Sequence, residues 1–179
     1  MLKWIPDFLS LSRIAFAVLF AISFFEKNYL NSLVLFSIAA LTDFFDGYIA
    51  RKFQVCSKFG SMIDPLADKI LMFSAYAIFC YAELISSFTA SLVIGRDLLI
   101  LATVIAGLIA KIDLKFAPLW SSKVNTTIQL AFVIIVLACK SFSINISLAT
   151  LELIVCLSTI YSGIEYVVKY RWIKNELFK

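Results

Sequence analysis

The fold is decided by residues 31–50, NSLVLFSIAALTDFFDGYIA, an apolar run whose only charged residues are two aspartates near its end. A helix that crosses a bilayer needs about 20 predominantly apolar residues, and this run has that length. Outward from it, the chain contains five more runs of the same kind. The six candidate spans are residues 8–25, 31–50, 61–82, 88–110, 124–139 and 146–168. The pattern predicts an all-α protein, an integral membrane bundle of six transmembrane helices.

The composition leads to the same prediction. Of the 179 residues, 62% are hydrophobic and only 16% are charged, whereas a soluble domain usually carries about a quarter charged residues. One core of this size cannot bury so many apolar side chains, so they must face lipid. Because the six spans leave no room for a soluble domain, we expect residues 1–179 to form a single membrane domain, with lipids and not nucleic acid as partners.

The basic residues predict the orientation of the spans. If both termini lie on one side of the membrane, that side receives eleven basic residues outside the spans and the other receives two, Lys27 and Lys140. Because basic loops remain in the cytoplasm, the termini and the loops after the second and fourth spans should be cytoplasmic. The first span follows Met1 too closely for a transit peptide, which favours the bacterial cytoplasmic membrane.

Two residue types limit the chemistry. The chain contains no histidine, which excludes Ser-His-Asp hydrolysis and zinc sites with histidine ligands. The four cysteines, Cys56, Cys80, Cys139 and Cys156, are scattered without a Cys-x-x-Cys pair. We expect them to be small core residues, since neither a disulfide framework nor a metal site has this spacing.

Four aspartates within two neighbouring spans carry the chemical information. An aspartate near the middle of a membrane helix costs about 2.5–3.5 kcal/mol on insertion, so four of them must be neutralised. Asp43 and Asp46 are three residues apart and share one helix face, and Asp64 and Asp68, four apart, share another. A short connection makes the two helices antiparallel neighbours, so their carboxylates can converge. Without histidine or cysteine ligands, such a pocket suits two hard divalent cations, Mg²⁺ or Mn²⁺.

A purely structural role explains one such aspartate better than it explains four. A single membrane aspartate can be one half of an ion pair, but only Arg51 and Lys69 lie near this group in the sequence. Gly47 and Gly60 either permit close helix packing or leave space for a bulky ligand beside the cations. The two roles of the glycines are compatible.

The pattern of these residues resembles the signature of a known family. It reads Asp-x-x-Asp-Gly-x-x-Ala-Arg, then eight residues, Gly, three residues, Asp, three residues and Asp. The chain matches it without a gap at Asp43, Asp46, Gly47, Ala50, Arg51, Gly60, Asp64 and Asp68. It is the signature of the class I CDP-alcohol phosphatidyltransferases, and the resemblance implies a six-helix membrane bundle that forms a homodimer.

The resemblance also implies a reaction, in which the hydroxyl of a glycerol-type acceptor displaces CMP from CDP-diacylglycerol. Two divalent cations would be held by Asp43, Asp46, Asp64 and Asp68. Asp68 would also be the general base that takes the proton of the acceptor hydroxyl. The nucleotide and its diphosphate would be bound by Gly47, Ala50, Arg51 and Gly60. Taken alone, Arg51 has a second, less favoured interpretation as a basic residue at the membrane edge. The active site would face the cytoplasm.

Three basic residues remain to receive a phosphate group of the acceptor: Arg13, Arg96 and Lys123. Lys123 lies at the predicted cytoplasmic edge. Arg96 precedes Lys111 by fifteen residues, which corresponds to about 22 Å along a helix. At that depth, an ion pair of Arg96 with Asp97 is as well supported as contact with the substrate.

The acceptor itself is predicted from one short segment. Ser122-Lys123-Val124-Asn125-Thr126 resembles the cardiolipin synthases of the eukaryotic type, whose acceptor is phosphatidylglycerol. Bacterial phosphatidylglycerophosphate synthases, whose acceptor is glycerol 3-phosphate, more often have Gly-Lys-Val-Lys-Thr there. Asn125 therefore removes one cation from the region. We favour phosphatidylglycerol as the acceptor and keep glycerol 3-phosphate as the alternative.

Two other classes of protein place acidic residues in membrane helices. Cation transporters use them to line a pathway, but this chain has neither an inverted repeat nor a pair of interrupted helices, and its four aspartates crowd one end of the bundle. Intramembrane aspartyl proteases have a Gly-x-Gly-Asp motif that this chain lacks. A transporter remains the alternative from a different class.

Overall fold

The structure is a computed structural model that is helical in the parts of the chain it describes. It describes the backbone of residues 5–53, 60–109 and 120–177, and the side chains of residues 12–42, 69–103 and 120–169. Within these ranges the helices are α1 (Ile5–Phe25), α2 (Tyr29–Phe53), α3 (Gly60–Tyr81), α4 (Ser87–Ile109), α5 (Trp120–Ser141) and α6 (Ala149–Leu177). Each predicted span overlaps one of these helices, and no strand occurs in the described backbone. The all-α prediction is confirmed.

Two helices are long and apolar enough to cross a membrane, when only the described residues are considered. They comprise Trp120–Ser141 and Ala149–Lys169. Large apolar side chains are exposed on the second of these, among them Leu157 at 59% and Ile164 at 60%, as expected of a helix that faces lipid. The helices therefore indicate a membrane protein, and the bundle of six spans stays a prediction.

Helices α1, α3 and α5 end in the same way. Each is followed by a residue with positive φ, namely Lys27 at 60°, Glu83 at 55° and Ser143 at 54°. In each case the next backbone N–H reaches back five residues, as in the 2.9 Å bond from Leu84 N to Phe79 O. This left-handed termination satisfies carbonyls that the helix leaves open and turns the chain sharply. It allows α2 and α4 to begin within a few residues.

The last two helices differ in length from their predicted spans. α5 begins four residues before the predicted start at 124, and α6 continues to Leu177, beyond the predicted end at 168. Hydropathy marks only the apolar part of a helix, whereas Lys, Arg and Glu are good helix formers that extend it into polar surroundings. The residues after 168 include several of this kind.

The chain forms two compact units. Unit 1 comprises residues 1–84 and 133–146, and unit 2 comprises residues 85–132 and 147–179. The expectation of a single domain over residues 1–179 stays a prediction.

In unit 1, α1 packs against both α2 and α3. The contact is made by an aromatic cluster of Phe20, Phe24, Phe36 and Phe79, all of which are buried. The ring centroids of Phe20 and Phe36 lie 5.6 Å apart and those of Phe24 and Phe79 lie 5.9 Å apart. Tilted aromatic pairs at this distance are favourable. The cluster fixes one end of α1 against both neighbouring helices.

In unit 2, polar side chains connect α4 to α6 at three levels. They pair Thr89 with Glu152, Arg96 with Ser162, and Thr103 with Tyr166. Residue numbers rise along both helices from one level to the next, so α4 and α6 are parallel. Between α5 and α6 the residue numbers change in opposite directions. Asn125 of α5 is hydrogen-bonded to Ser158 of α6, whereas the earlier Ser122 and the later Ser162 both accept from Arg96. α5 is therefore antiparallel to α6.

Candidate active site

Helices α2 and α3 carry the predicted metal-binding and nucleotide-binding residues. α2 contains Asp43, Asp46, Gly47, Ala50 and Arg51, and α3 begins at Gly60 and contains Asp64 and Asp68. Because α2 is helical without interruption from Tyr29 to Phe53, its two aspartates share one face with Gly47 and Ala50. The side chains of all eight residues, and the connection at 54–59, lie outside the described part of the chain.

The aromatic cluster shows in which direction these two helices run. Along α1 and α2 the ring contacts run in opposite order, since Phe20 contacts Phe36 and Phe24 contacts the earlier Tyr29, so these helices are antiparallel. Along α1 and α3 they run in the same order, since Phe24 contacts Phe79 and Phe25 contacts the later Tyr81, so these helices are parallel. α2 therefore runs from the cluster towards its aspartates, and α3 passes its aspartates before it reaches the cluster. Asp43 is seven residues beyond Phe36, and Asp68 is eleven residues before Phe79. These offsets correspond to about 10 and 16 Å along a helix axis. Both aspartate motifs therefore lie towards the same end of unit 1, which is a requirement for their convergence.

Arg13 of α1 lies at the same level. Arg13 precedes Phe20 by seven residues, and Asp43 follows Phe36, the ring that Phe20 contacts, also by seven. Arg13 precedes Phe24 by eleven residues, and Asp68 precedes Phe79, the ring that Phe24 contacts, also by eleven. Arg13 is only 3% exposed. A buried guanidinium is costly unless anionic groups surround it. The four aspartates supply such anionic groups at this level of unit 1.

The chemistry of the aspartates fits the divalent cations that the sequence predicts. Among the side chains that the structure describes, no group of three or more His, Cys, Asp or Glu residues is placed to hold a metal. The four aspartates are outside that set. They supply only oxygen ligands, which hard cations such as Mg²⁺ and Mn²⁺ prefer, and they lie on two helices whose motifs point to one end of unit 1.

Arg96 of α4 occupies a buried polar cluster in unit 2. Its Nη1 donates to Asp97 Oδ1 at 2.7 Å. Its Nη2 donates to Ser122 Oγ of α5 at 2.7 Å and to Ser162 Oγ of α6 at 2.6 Å. Arg96 and Asp97 are 7% and 8% exposed. The ion pair, one of the two roles expected for Arg96, is thus present, and the same guanidinium joins α4, α5 and α6.

Arg96 and Lys123 lie closer to each other along the helices than the sequence suggests. Ser122, the residue before Lys123, contacts Arg96 directly, so the two predicted acceptor residues belong to one level of unit 2. The reason is that α4 continues for thirteen residues beyond Arg96, about 20 Å, whereas α5 starts two residues before Ser122. Lys123 itself is exposed, with Nζ 6.0 Å from the ring centroid of Trp120.

Asn125 faces the interior of unit 2. It is 1% exposed, and its Oδ1 accepts hydrogen bonds from Ser158 Oγ at 2.8 Å and Thr159 Oγ1 at 3.1 Å. One turn further along α5, Gln129 Nε2 donates to the same Thr159 at 3.2 Å. A lysine in place of Asn125 would add a cation to this packed interior. Asn125 therefore has a role in packing as well as carrying no charge.

Sequence reasoning missed the polar residues of α6 that complete these clusters. Ser158, Thr159 and Ser162 bind the side chains of α4 and α5. A signal for them existed in α4, where Thr89, Arg96 and Thr103 recur every seven residues within an apolar helix. Side chains at this interval share one helix face, and polar residues on one face of an apolar helix indicate a polar contact with a neighbouring helix.

Comparison with known proteins now defines the class. Residues 3–161 match the family model described as CDP-alcohol phosphatidyltransferase. The match covers most of the 179 residues, and the chain belongs to this family.

Relatives with two different names resemble the chain. The CDP-diacylglycerol–glycerol-3-phosphate 3-phosphatidyltransferase of Aquifex aeolicus (strain VF5) is 39% identical over 116 residues, which are 64% of this chain and 63% of that protein. The human cardiolipin synthase (CMP-forming) is 35% identical over 155 residues, which are 78% of this chain and 52% of that protein. The chain thus spans less than two thirds of each.

A third relative is covered more fully. The CDP-diacylglycerol–glycerol-3-phosphate 3-phosphatidyltransferase of Rickettsia felis (strain ATCC VR-1525 / URRWXCal2) is 31% identical over 146 residues, which are 79% of this chain and 80% of that protein. Relatives with each of the two names are therefore similar to a large part of this chain.

Proposed function

We propose that the protein transfers the phosphatidyl group of CDP-diacylglycerol to a glycerol-type hydroxyl and releases CMP. The observation that carries the proposal is the ungapped match of eight residues on α2 and α3 to the family signature, on helices whose motifs lie towards one end of unit 1. The names of the relatives from Aquifex, human and Rickettsia support the same reaction class.

In the proposed reaction, the acceptor oxygen forms a bond to the phosphorus that bears the diacylglycerol. The bond from that phosphorus to the oxygen of CMP breaks, and CMP leaves with the electron pair. Asp68 accepts the proton of the acceptor hydroxyl. Because neighbouring cations keep a carboxylate ionised, placement close to that hydroxyl matters more for Asp68 than strong basicity.

The remaining residues of the motif bind and orient the donor. Asp43, Asp46 and Asp64, with Asp68, would hold two divalent cations, which would supply positive charge against the diphosphate and the departing CMP. Gly47 and Gly60 leave space beside the ligands, as does the small side chain of Ala50. Arg51 binds a phosphate oxygen, for which its planar guanidinium is well shaped.

For the acceptor we propose phosphatidylglycerol, so that the product is cardiolipin. The segment from Ser122 to Thr126 and the similarity to the human cardiolipin synthase support this choice. Glycerol 3-phosphate is the second candidate, which the similarity to the Aquifex and Rickettsia proteins supports. In either case the proposed acceptor-binding residues are the basic side chains of Arg13, Arg96 and Lys123. Each acts either by contacting the acceptor or by positioning a neighbouring residue that does.

We further propose a homodimer with six membrane spans in a bacterial cytoplasmic membrane, its active site towards the cytoplasm. The directions of the helices within each unit support the six spans. α1 and α3 run towards the aromatic cluster and α2 runs away from it, while α4 and α6 are parallel and α5 is antiparallel to α6. Helices that cross a membrane in succession must alternate in this way.

The test is an assay of CMP release by the purified protein in mixed micelles with CDP-diacylglycerol and Mg²⁺. Phosphatidylglycerol and glycerol 3-phosphate are supplied in separate reactions, and the lipid product is identified by mass spectrometry. Cardiolipin formation supports the first acceptor and phosphatidylglycerophosphate supports the second. Absence of CMP release with both would overturn the proposed reaction and favour a cation transporter.

A further inference from the structure

We propose that Arg96 is a positioning residue that sets the place of Lys123 in the acceptor site by holding the first turn of α5. The proposal rests on the function proposed above. It concerns how Arg96 acts, since an arginine near an acceptor phosphate would ordinarily be expected to contact that phosphate directly.

The hydrogen bonds of the guanidinium argue against direct bidentate binding. Nη2 carries two hydrogens, and it donates to Ser122 Oγ at 2.7 Å and to Ser162 Oγ at 2.6 Å. A guanidinium grips a phosphate with two parallel N–H groups, either from Nη1 and Nη2 or from Nε and Nη2. Each of these pairs includes Nη2. Bidentate phosphate binding would therefore break a bond to one of the two serines.

The location of Ser122 gives the arginine a route to the acceptor site. Ser122 is the third residue of α5 and directly precedes Lys123 in the chain. The first turn of a helix lacks the hydrogen bonds that hold its interior, so it depends on outside contacts. Arg96 is 7% exposed and is held by Asp97 within the same helix, so it provides a fixed point. The bond to Ser122 transmits that fixed position to Lys123, whose side chain is exposed.

The two serines provide a matched pair of variants. Ser122→Ala removes the bond from Arg96 to α5, and Ser162→Ala removes the equivalent bond to α6 while the bond to Ser122 remains. Both variants delete one hydroxyl that accepts from the same nitrogen. If Arg96 only stabilises the fold, the two should lower the melting temperature to a similar extent and affect neither substrate selectively.

We expect Ser122→Ala to change the KM for the acceptor and to leave kcat nearly unchanged. Using whichever acceptor supports CMP release in the wild type, Ser122→Ala should raise the KM for that acceptor about three- to tenfold, which is less than the full loss of a hydrogen bond to a charged group because Ser122 acts on the acceptor only through Lys123. The kcat and the KM for CDP-diacylglycerol should change less than about twofold, because chemistry and donor binding depend on α2 and α3. Ser162→Ala should leave all three parameters near wild type, and Ser122→Thr, which keeps the hydroxyl, should restore the acceptor KM.

Other results would overturn the proposal. If Ser122→Ala leaves the acceptor KM unchanged while Arg96→Lys raises it, Arg96 contacts the acceptor itself. If Ser122→Ala and Ser162→Ala raise the acceptor KM equally, the cluster has only a structural role. These outcomes differ from failure of the proposed function, in which the wild type releases no CMP and KM values cannot be measured.

Discussion

Arg96 and Asp97 form a buried ion pair at 2.7 Å although they are adjacent residues of α4. Neighbouring residues of a helix do not normally face each other. Here the long arginine side chain turns so that its guanidinium reaches both the carboxylate and the serines of two other helices. The two side chains are 5% and 11% exposed, so neither charge has access to much water.

The burial of this pair predicts an asymmetric response to mutation. Asp97→Leu leaves the guanidinium without its counter-ion, and we expect it to lower the free energy of unfolding by about 3–5 kcal/mol. The double variant Arg96→Met with Asp97→Leu should recover more than half of that loss, because no buried charge remains. Thermal unfolding in detergent micelles measures both. A double variant that is less stable than Asp97→Leu alone would contradict this explanation.

Asp68 is predicted to serve the chemical step and not the binding of the nucleotide. Asp68→Asn should abolish CMP release, with a loss of at least about a thousandfold if it is the general base, while equilibrium binding of CDP-diacylglycerol is retained. Glu26→Gln, which changes an exposed carboxylate at the end of α1, is the matched control and should be fully active. Full activity of Asp68→Asn would remove this residue as the base.

Divalent cations should be essential for turnover. Four carboxylates from two helices repel one another unless cations neutralise them, so treatment with a chelator should abolish CMP release. Addition of Mg²⁺ or Mn²⁺ should restore it. The chelated protein should also fail to bind CDP-diacylglycerol, because the diphosphate then meets uncompensated negative charge. Turnover that continues after complete metal removal would exclude the two-cation site.

How much the sequence predicts differs between the two units. The six helices follow from apolar length, and the aspartate motif follows from the cost of charge in a membrane, because both effects act locally along the chain. Contacts between distant segments were not predictable in the same way. The position of Ser122 beside Arg96 depends on how far α4 and α6 extend past the start of α5, and hydropathy carries no information on that offset. For this reason the sequence does not indicate that Lys123 and Arg96 lie at one level of unit 2.

We predict that Asn125 contributes to the free energy of unfolding and does not directly select the acceptor. Asn125→Lys would place an ammonium group in a site that is 1% exposed and remove the acceptor of two hydrogen bonds. We expect a loss of about 2–4 kcal/mol. Val124→Lys, at a neighbouring position that is 48% exposed, should be tolerated and serves as the control. If Asn125→Lys is as stable as the wild type and prefers glycerol 3-phosphate, the residue is a direct determinant of specificity.

The aromatic cluster should control activity from the far end of unit 1. Phe24 contacts Phe20 of α1, Tyr29 of α2 and Phe79 of α3, with ring centroids 5.4–6.3 Å apart. Phe24→Ala would open a cavity where the three helices meet, and we expect it to cost about 3–5 kcal/mol. Since the cluster holds α2 and α3 at one end and their aspartates lie at the other, the loosened helices should also hold the cations less tightly.

This second effect can be measured apart from stability. At a temperature where Phe24→Ala is still folded, the concentration of Mg²⁺ needed for half-maximal CMP release should rise, whereas kcat at saturating Mg²⁺ should stay within about threefold of the wild type. Leu19→Ala truncates a side chain of the same helix that is 48% exposed, and should change neither the melting temperature nor the Mg²⁺ requirement appreciably. An unchanged Mg²⁺ requirement in Phe24→Ala would mean that the aspartates keep their places without the aromatic contact, so that the connection between α2 and α3 alone holds them together.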